Sequence, residues 1–212
     1  IRMLTIMFLN LKVDLSQTRN QEGMNRIQDI VRTVQRSVYR TKGSLNKFLM
    51  DDKGSVMLIV WGLPPFSSPD DHSRSVLSAL TLINQLKKFN CGAYMGITTG
   101  SCFTGVCGTI GGRREYSLLG EIVNLSARHM QQAIYYAKDK SKVTKSPTEY
   151  TILIDERTKD VFIFKISLFK IKFIATMYAR VPLKALQMNS ISMNHAWRLN
   201  HLQMHQFTFH LN

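Results

Sequence analysis

Acidic residues are scarce in this sequence and are missing altogether from its last quarter. The 212 residues include 14 Asp and Glu against 28 Lys and Arg, which gives a formal net charge of +14. Residues 161–212 contain no acidic residue but six basic ones, leaving +8 for residues 1–160, where no long block of like charge occurs. The charge therefore weakly favours phosphate-bearing partners.

Cysteine and long apolar runs are also scarce. The three cysteines, Cys91, Cys102 and Cys107, are odd in number and lack paired metal-binding spacing, so we expect reduced, buried thiols in a cytosolic protein. The apolar run at residues 1–13 is too short to span a bilayer. The apolar stretch after residue 161 is a poor membrane span because lysines interrupt it. Residues 1–13 instead predict a core strand that starts mid-domain, so we expect an excerpt of a longer polypeptide.

What is present predicts a globular α+β domain. The composition, 44% hydrophobic and 20% charged, is sufficient for one sizeable core. Residues 3–13 are typical of a strand covered on both faces, and a helix of about 18 residues follows, with apolar side chains at helical spacing. Two short apolar runs on either side of the DDKG sequence at 51–54 then predict a hairpin.

A second helix, starting at Asp70 or Asp71, precedes a predicted strand pair at 91–100 and 101–108. The order is therefore βαββαβ, the ferredoxin-like arrangement, with further elements appended.

The appended part begins with EYSLLGEIVNLSARHM at 115–130, which starts like a strand and ends like a helix. Residues 138–149 have the composition of a solvated loop, and 151–155 predict a late strand. Beyond residue 161 the pattern loses any sustained period. We therefore divide the chain into a domain at 1–160 and an atypical basic tail at 161–212, which need not belong to the native domain.

Four motifs in this order carry a resemblance to a known family. They are TIMFLNL, LNKFLMDDKG, MGITTGSCFTGVCG and RREYSLLGEIVNLSAR. Together they resemble the class III nucleotidyl cyclases, most closely the second catalytic half of the soluble, bicarbonate-responsive adenylyl cyclases. The resemblance covers residues 2–130. It implies a cyclase homology domain that packs head to tail with a complementary first-half domain.

The resemblance implies that the two halves divide the active-site residues between them. First-half domains hold two metal ions with two aspartates; in this sequence Asn10 replaces the first aspartate and Asp52 matches the second. A neutral amide is a poor ligand for a hard dication, so we expect no metal site here and a turn role for Asp52. Mg²⁺ or Mn²⁺ would arrive with ATP and be held mainly by the partner half.

The base-binding positions fall on two predicted strands. Lys47 matches a lysine that contacts the purine edge, and its ammonium can only donate, which suits the ring nitrogen of adenine. Ser117 is the second base-selecting residue, able to accept from the adenine amino group, and Leu118 is a further substrate-binding position. The resemblance favours adenine over guanine, because guanylyl cyclases carry a glutamate and a cysteine-type residue at these two positions. Met50 matches a residue of the regulator pocket for bicarbonate or inhibitors, although a core methionine is an equally good interpretation.

Asn124 and Arg128 are four residues apart, so a helix projects both from one face. The resemblance implies that Asn124 orients the ribose, while Arg128 meets the charge that develops on the α-phosphate. Arginine suits this task because it stays charged and offers a planar fork to phosphate oxygens. The family also uses a late lysine on the triphosphate. Lys184 is the only candidate, and its surroundings do not match well.

These residues predict an adenylate cyclase half that converts ATP to cyclic AMP and pyrophosphate and is inactive without a metal-binding first half. We expect that partner in the same full-length polypeptide, bicarbonate and calcium as candidate regulators, and a cytoplasmic location with ciliary or membrane association through other regions. The alternative is a non-catalytic cyclase-like regulatory or dimerisation module. Nucleic acid is not expected, because MGITTG and SCFTGVCG lack the aromatic and basic cluster of an RNA-binding sheet.

Overall fold

The computed structural model of the chain describes residues 1–13, 20–51, 54–144 and 150–160. The strands and helices, in chain order, are β1 (Arg2–Lys12), α1 (Gln21–Arg40), β2 (Ser44–Asp51), β3 (Gly54–Trp61), α2 (Asp71–Leu86), β4 (Gly92–Gly108), β5 (Arg114–Leu119), α3 (Glu121–Thr144) and β6 (Tyr150–Ile154). The first six confirm the predicted βαββαβ order, with β5, α3 and β6 appended. The predicted tail at 161–212 lies outside the described residues.

One mixed sheet organises these elements around β1. The strand order is β2-β3-β1-β4-β5, and β6 adds to β4 in parallel. β1 is antiparallel to both of its neighbours, β3 and β4. Its central place explains its sequence, because a strand covered on both faces needs apolar side chains in both directions.

The two faces of β1 serve different halves of the core. Met7, Leu9 and Leu11 pack with α1 and α2 on one face. Leu4 and Ile6 pack on the other face with residues of β3 and β5 and the first turn of α3. Because successive side chains of a strand point to opposite faces, β1 packs against the helices α1 and α2 on one side and against β5 and α3 on the other.

Helix α1 matches the predicted helix in position and in its buried face. Its N-cap, Asn20, accepts a 2.7 Å hydrogen bond from the Gly23 amide. At the C-terminal end the chain passes directly over Trp61, since a Cβ on Gly43 would lie 2.6 Å from Cε2 of that fully buried indole. The lack of a side chain at Gly43 therefore allows the close approach of Trp61.

The predicted strand pair at 91–108 is wrong, because these residues form the single 17-residue strand β4. Gly100 lies within this strand and has no positive φ, so it does not form a turn. It is small because α3 packs against it: a Cβ there would lie 2.5 Å from Cγ2 of Ile122. The turn into β5 comes later, where Gly108 and Gly111 have φ of 131° and 85°.

Helix α3 also extends further than predicted. Residues 138–144, expected to begin a solvated loop, continue the helix to Thr144. No proline or glycine interrupts the sequence before Pro147, and Ala133 and Ala137 keep a narrow apolar face against the sheet. The strand-to-helix prediction for residues 115–130 and the late strand, now β6, are both confirmed.

Candidate nucleotide-binding site

Strands β2 and β5 lie at opposite ends of the strand order, yet an ion pair joins them. The Lys47 ammonium is 2.6 Å from Oε1 of Glu115, and both side chains are about two-fifths exposed. Contact is possible because β5 folds back across one face of the sheet. Leu118 of β5 accordingly packs with Leu4 and Leu58 on that face. The sheet thus brings Lys47 next to the strand that carries Ser117.

A bulge in β2 turns Lys47 toward this face. Leu45 pairs with Ile59 and Lys47 with Leu58, so the register shifts by one residue between them. Without the shift, Leu45 and Lys47 would share a face, because side chains alternate along a strand. The extra residue instead leaves Leu45 packed against the helical-layer core and Lys47 on the face of β5.

Glu115 contacts Lys47 but is not among the residues that the sequence singles out. Its hydrogen bond and ion pair with Lys47 hold the pKa of the carboxyl below its usual value, with a smaller effect from Arg113, which lies 3.3 Å from Oε2. The Ser117 hydroxyl, two residues along β5, donates a long 3.4 Å hydrogen bond to the Glu115 carbonyl oxygen. Lys47, Glu115 and Ser117 form one polar group, which we call the base cluster.

Leu118 and Met50 are placed differently from the base cluster. The Leu118 side chain is buried in the core, so any contact with a nucleotide would come from its main chain. Met50 pairs with Ser55, which places it on the face of the sheet opposite Lys47, exposed near the end of β2. Its assignment to a regulator pocket stays a prediction.

Asn124 and Arg128 are both exposed on consecutive turns of α3. Neither side chain forms a hydrogen bond or ion pair with another residue in the part of the chain that the structure describes. Between them, Ser126 points the other way and is fully buried. Its hydroxyl is 2.7 Å from the Gly96 carbonyl oxygen and accepts a 3.0 Å bond from the Phe8 amide.

The metal-site expectation rests on Asn10 and Asp52. The Asn10 amide faces the β2–β3 hairpin, with Nδ2 3.6 Å from where a Cβ of Gly54 would lie. Residues 1–13, 20–51, 54–144 and 150–160 contain no cluster of three or more His, Cys, Asp or Glu that could hold an ion. Asp52 and the proposed triphosphate residue, Lys184, lie outside the described residues. An amide that also donates does not fit a hard dication.

Exposed apolar side chains also occur on these strands. They lie on β2, β4 and β5 and on the turn before β5, and they are Phe48, Leu49, Met50, Phe103, Val106, Ile110, Tyr116 and Leu119. Phe48 and Met50 lie on the face of the sheet opposite Lys47. No helix in the described ranges is long and apolar enough to cross a membrane.

Known proteins match this sequence over part of its length. No protein-family model matches. Over 140 residues the chain is 31% identical to adenylate cyclase type 10 of Oryctolagus cuniculus and 32% identical to that of Homo sapiens. These matches cover 64% of the chain but 8% of each relative, so the chain corresponds to a small segment of those proteins.

Solved structures match the fold. The adenylyl cyclase CyaB from P. aeruginosa superimposes with a TM-score of 0.62 at 18% identity, covering 78% of this chain and 82% of that one. The guanylate cyclase domain of RhGC from Catenaria anguillulae, in complex with GTP, gives 0.56 at 18% identity, covering 75% and 81%. Because both kinds of cyclase share the fold, the fold alone does not choose between adenine and guanine.

Proposed function

We propose a function from the premise that this chain is a homologue of adenylate cyclase type 10 with the fold of class III cyclase domains. It acts as one catalytic half of an adenylate cyclase and contributes the adenine-binding and transition-state residues. The observation that supports this most is the exposed, unpaired state of Asn124 and Arg128 on one face of α3, directly after the strand of the base cluster.

Arg128 has the chemistry that the reaction needs. When the ribose 3′ oxygen attacks the α-phosphorus and pyrophosphate leaves, negative charge develops on the oxygens of the α-phosphate. A guanidinium that forms no hydrogen bond or ion pair with the described residues can offer its donors to those oxygens. Asn124, one turn earlier, can fix the ribose with its amide. Both act by orientation and electrostatic stabilisation.

The base cluster supplies the contacts to adenine. Lys47 donates to the ring nitrogen, and the Ser117 hydroxyl accepts from the exocyclic amino group. Both side chains are partly exposed, so a base can approach them. The main chain at Leu118 completes this side of the pocket.

The metal ions are assigned to a partner half, because Asn10 does not fit one. Mg²⁺ or Mn²⁺, when bound with ATP, neutralises the triphosphate and lowers the pKa of the attacking hydroxyl. The exposed apolar side chains on β2, β4 and β5 support such a partner, since exposed apolar surface often marks a protein interface. The partner is a complementary first-half domain, in our proposal from the same full-length polypeptide. Control by bicarbonate or calcium and a cytoplasmic location remain predictions.

Complementation tests this proposal. Cyclic AMP formation from Mg-ATP or Mn-ATP is measured for the chain alone, for a first-half domain carrying both metal aspartates, and for their mixture. We expect activity in the mixture and almost none from the chain alone. Complex formation is followed in parallel by analytical ultracentrifugation. A complex that forms yet never produces cyclic AMP would contradict the catalytic assignment.

A non-catalytic module is the second candidate. The observation in its favour is Asn10 in the central strand, since the described residues contain no acidic metal site. Exposed apolar side chains on β2, β4 and β5 are available to bind a partner. In that case the chain would bind its partner through the surface on β2, β4 and β5, and substitution of Asn124 or Arg128 would change nothing measurable.

A further inference from the structure

We propose that the last two turns of α1 and the loop between β3 and α2 bind the surface of an anionic lipid bilayer. The side chains involved, which we call the basic-aromatic surface, are Arg36, Tyr39, Arg40, Lys42 and Phe66. Helix α1 packs on the face of the sheet opposite the base cluster. A bilayer bound there would leave the nucleotide site open, so the inference does not depend on the proposed function.

Positive charge on this part of the chain is not balanced by nearby acidic residues in the sequence. Residues 30–50 contain five Lys and Arg but no Asp or Glu, and residues 62–69 carry no charge. Arg36 and Arg40 are both exposed and lie one turn apart on α1. Neither side chain forms a hydrogen bond or ion pair with another residue in the described part of the chain. Both guanidinium groups are therefore available to an anionic partner.

Aromatic side chains lie beside these cations. Phe66 is 48% exposed and directly follows two exposed prolines, Pro64 and Pro65. The Lys42 ammonium is 5.2 Å from the centre of the Phe66 ring, so a cation and an exposed aromatic ring are in contact. Tyr39, also exposed, accepts a 3.0 Å hydrogen bond from the Lys42 amide with its carbonyl oxygen. Exposed aromatic rings among Lys and Arg are typical of proteins that bind anionic membrane surfaces.

The arrangement favours a bilayer over an acidic protein. A protein would have to place carboxylates at fixed positions opposite Arg36 and Arg40, whereas lipid headgroups are mobile and can meet both. Phe66 lies in a turn, in which its amide donates a 3.0 Å hydrogen bond to the Leu63 carbonyl oxygen. An exposed ring on a turn can enter the boundary between headgroups and acyl chains, where apolar burial adds to the attraction between charges.

Sedimentation with vesicles tests the inference on the full chain. Vesicles contain equal parts of phosphatidylcholine and phosphatidylserine, or phosphatidylcholine alone, and we expect binding to the first kind. Each Lys or Arg near an anionic surface strengthens binding about fivefold, so Arg36→Gln combined with Arg40→Gln should weaken it about 25-fold. Arg113→Gln combined with Arg114→Gln removes the same charge from the β4–β5 turn and should stay within about twofold of wild type. Every variant retains the basic residues at 161–212, so differences between variants report on α1.

The Phe66→Trp variant reports whether the loop enters the bilayer. The wild-type chain carries two tryptophans, so its spectrum is subtracted. The added tryptophan should emit at shorter wavelength with the anionic vesicles, and brominated acyl chains should quench it. Tyr135→Trp, at an exposed position on α3, is the matched control and should show neither change. Vesicle binding that leaves the Phe66→Trp emission unchanged would overturn the proposed contact.

Three further results would also overturn the inference. The first is equal vesicle binding by the wild type and the folded Arg36→Gln, Arg40→Gln variant, with folding checked by the melting temperature. The second is binding to polyglutamate but not to anionic vesicles, which would assign the surface to an acidic protein partner. The third is displacement of vesicles by inorganic phosphate beyond that by sodium chloride of equal ionic strength, which would assign it to free phosphate.

Discussion

The Ser126 hydroxyl lies 2.7 Å from the carbonyl oxygen of Gly96, and this contact fixes α3 against the middle of the sheet. The same hydroxyl lies 3.2 Å from the Ile6 carbonyl oxygen and accepts from the Phe8 amide, so one side chain joins α3 to both β1 and β4. Asn124 and Arg128 lie two residues to either side and point outward. The height of Asn124 and Arg128 above the sheet therefore depends on a buried serine.

Gly96→Ala tests how closely α3 approaches β4. A Cβ on Gly96 would collide with the backbone of Ser126 and Met130, which cannot rotate away as a side chain can. We expect the free energy of unfolding to fall by about 3 kcal/mol, as for severe overpacking. Chemical denaturation measures it.

Gly105→Ala is the matched control on the same strand, because its Cβ would meet only the end of the Phe103 ring, 3.1 Å away. Similar losses in both variants would contradict a close helix–strand contact specific to Gly96.

Ser126→Ala removes the hydroxyl without filling space. Loss of a buried hydrogen-bonding group typically costs about 1–3 kcal/mol, which we expect in the free energy of unfolding. Because α3 loses its fixed height, kcat in the reconstituted mixture should fall as well, while KM for ATP changes little. A variant that loses stability but keeps full kcat would show that Ser126 does not position Asn124 and Arg128.

His129 predicts how stability depends on pH. Burial lowers the pKa of His129 below 6.5, against a smaller opposite effect from the Leu125 carbonyl and Asp155. Between the folded pKa and 6.5 the unfolded chain binds more protons, so the free energy of unfolding should decrease as pH falls through that window. His72, whose pKa burial also lowers, acts in the same direction.

Denaturation curves of wild type and His129→Gln, recorded from about pH 7.5 to about pH 5.5, measure this effect. The variant should show a shallower decline, because His72 is then the one histidine of the described residues that still contributes. The raised pKa of Asp71, again caused by burial, acts oppositely, since it adds stability as the carboxyl takes up its proton. Equal slopes for the two proteins would rule out His129 as a source of the decline.

The three thiols should react at different rates. Cys91 and Cys102 are buried, and burial raises the pKa of Cys102, whereas Cys107 is partly exposed on β4. Since the thiolate is the nucleophile, iodoacetamide should label Cys107 first in the folded protein. Peptide mass spectrometry over time measures the order, and labelling in denaturant provides the reference. Labelling of Cys102 as fast as Cys107 in the folded state would contradict the burial.

Much of the fold was predictable because it depends on local patterns. The continuous apolar run of β1 and the helical spacing in α1 each follow from one stretch of sequence. The glycines of β4 were misinterpreted for a physical reason. A glycine such as Gly100 is typical of a turn, and only the position of α3 shows that Gly100 lacks a side chain because Ile122 packs against it.

The site was predictable only in part, because its contacts are long-range. Lys47, Ser117, Asn124 and Arg128 could be named from motifs. The contacts of Glu115 and Ser126 could not, since they join elements that meet only in the folded domain. The spacing of two residues between Glu115 and Ser117, which places both on one face of β5, was the available signal for Glu115. For Ser126, a polar residue on the sheet-facing side of an amphipathic helix was the signal.

Arg128→Ala in the reconstituted mixture tests the central claim most directly. If this chain supplies transition-state stabilisation, kcat for cyclic AMP formation should fall about 10²–10³-fold, with KM for ATP nearly unchanged. Arg36→Ala, an exposed arginine on α1 in the opposite layer, should leave both constants at wild-type values. Equal kcat for the Arg128→Ala variant and the wild type, with the complex intact, would contradict the account.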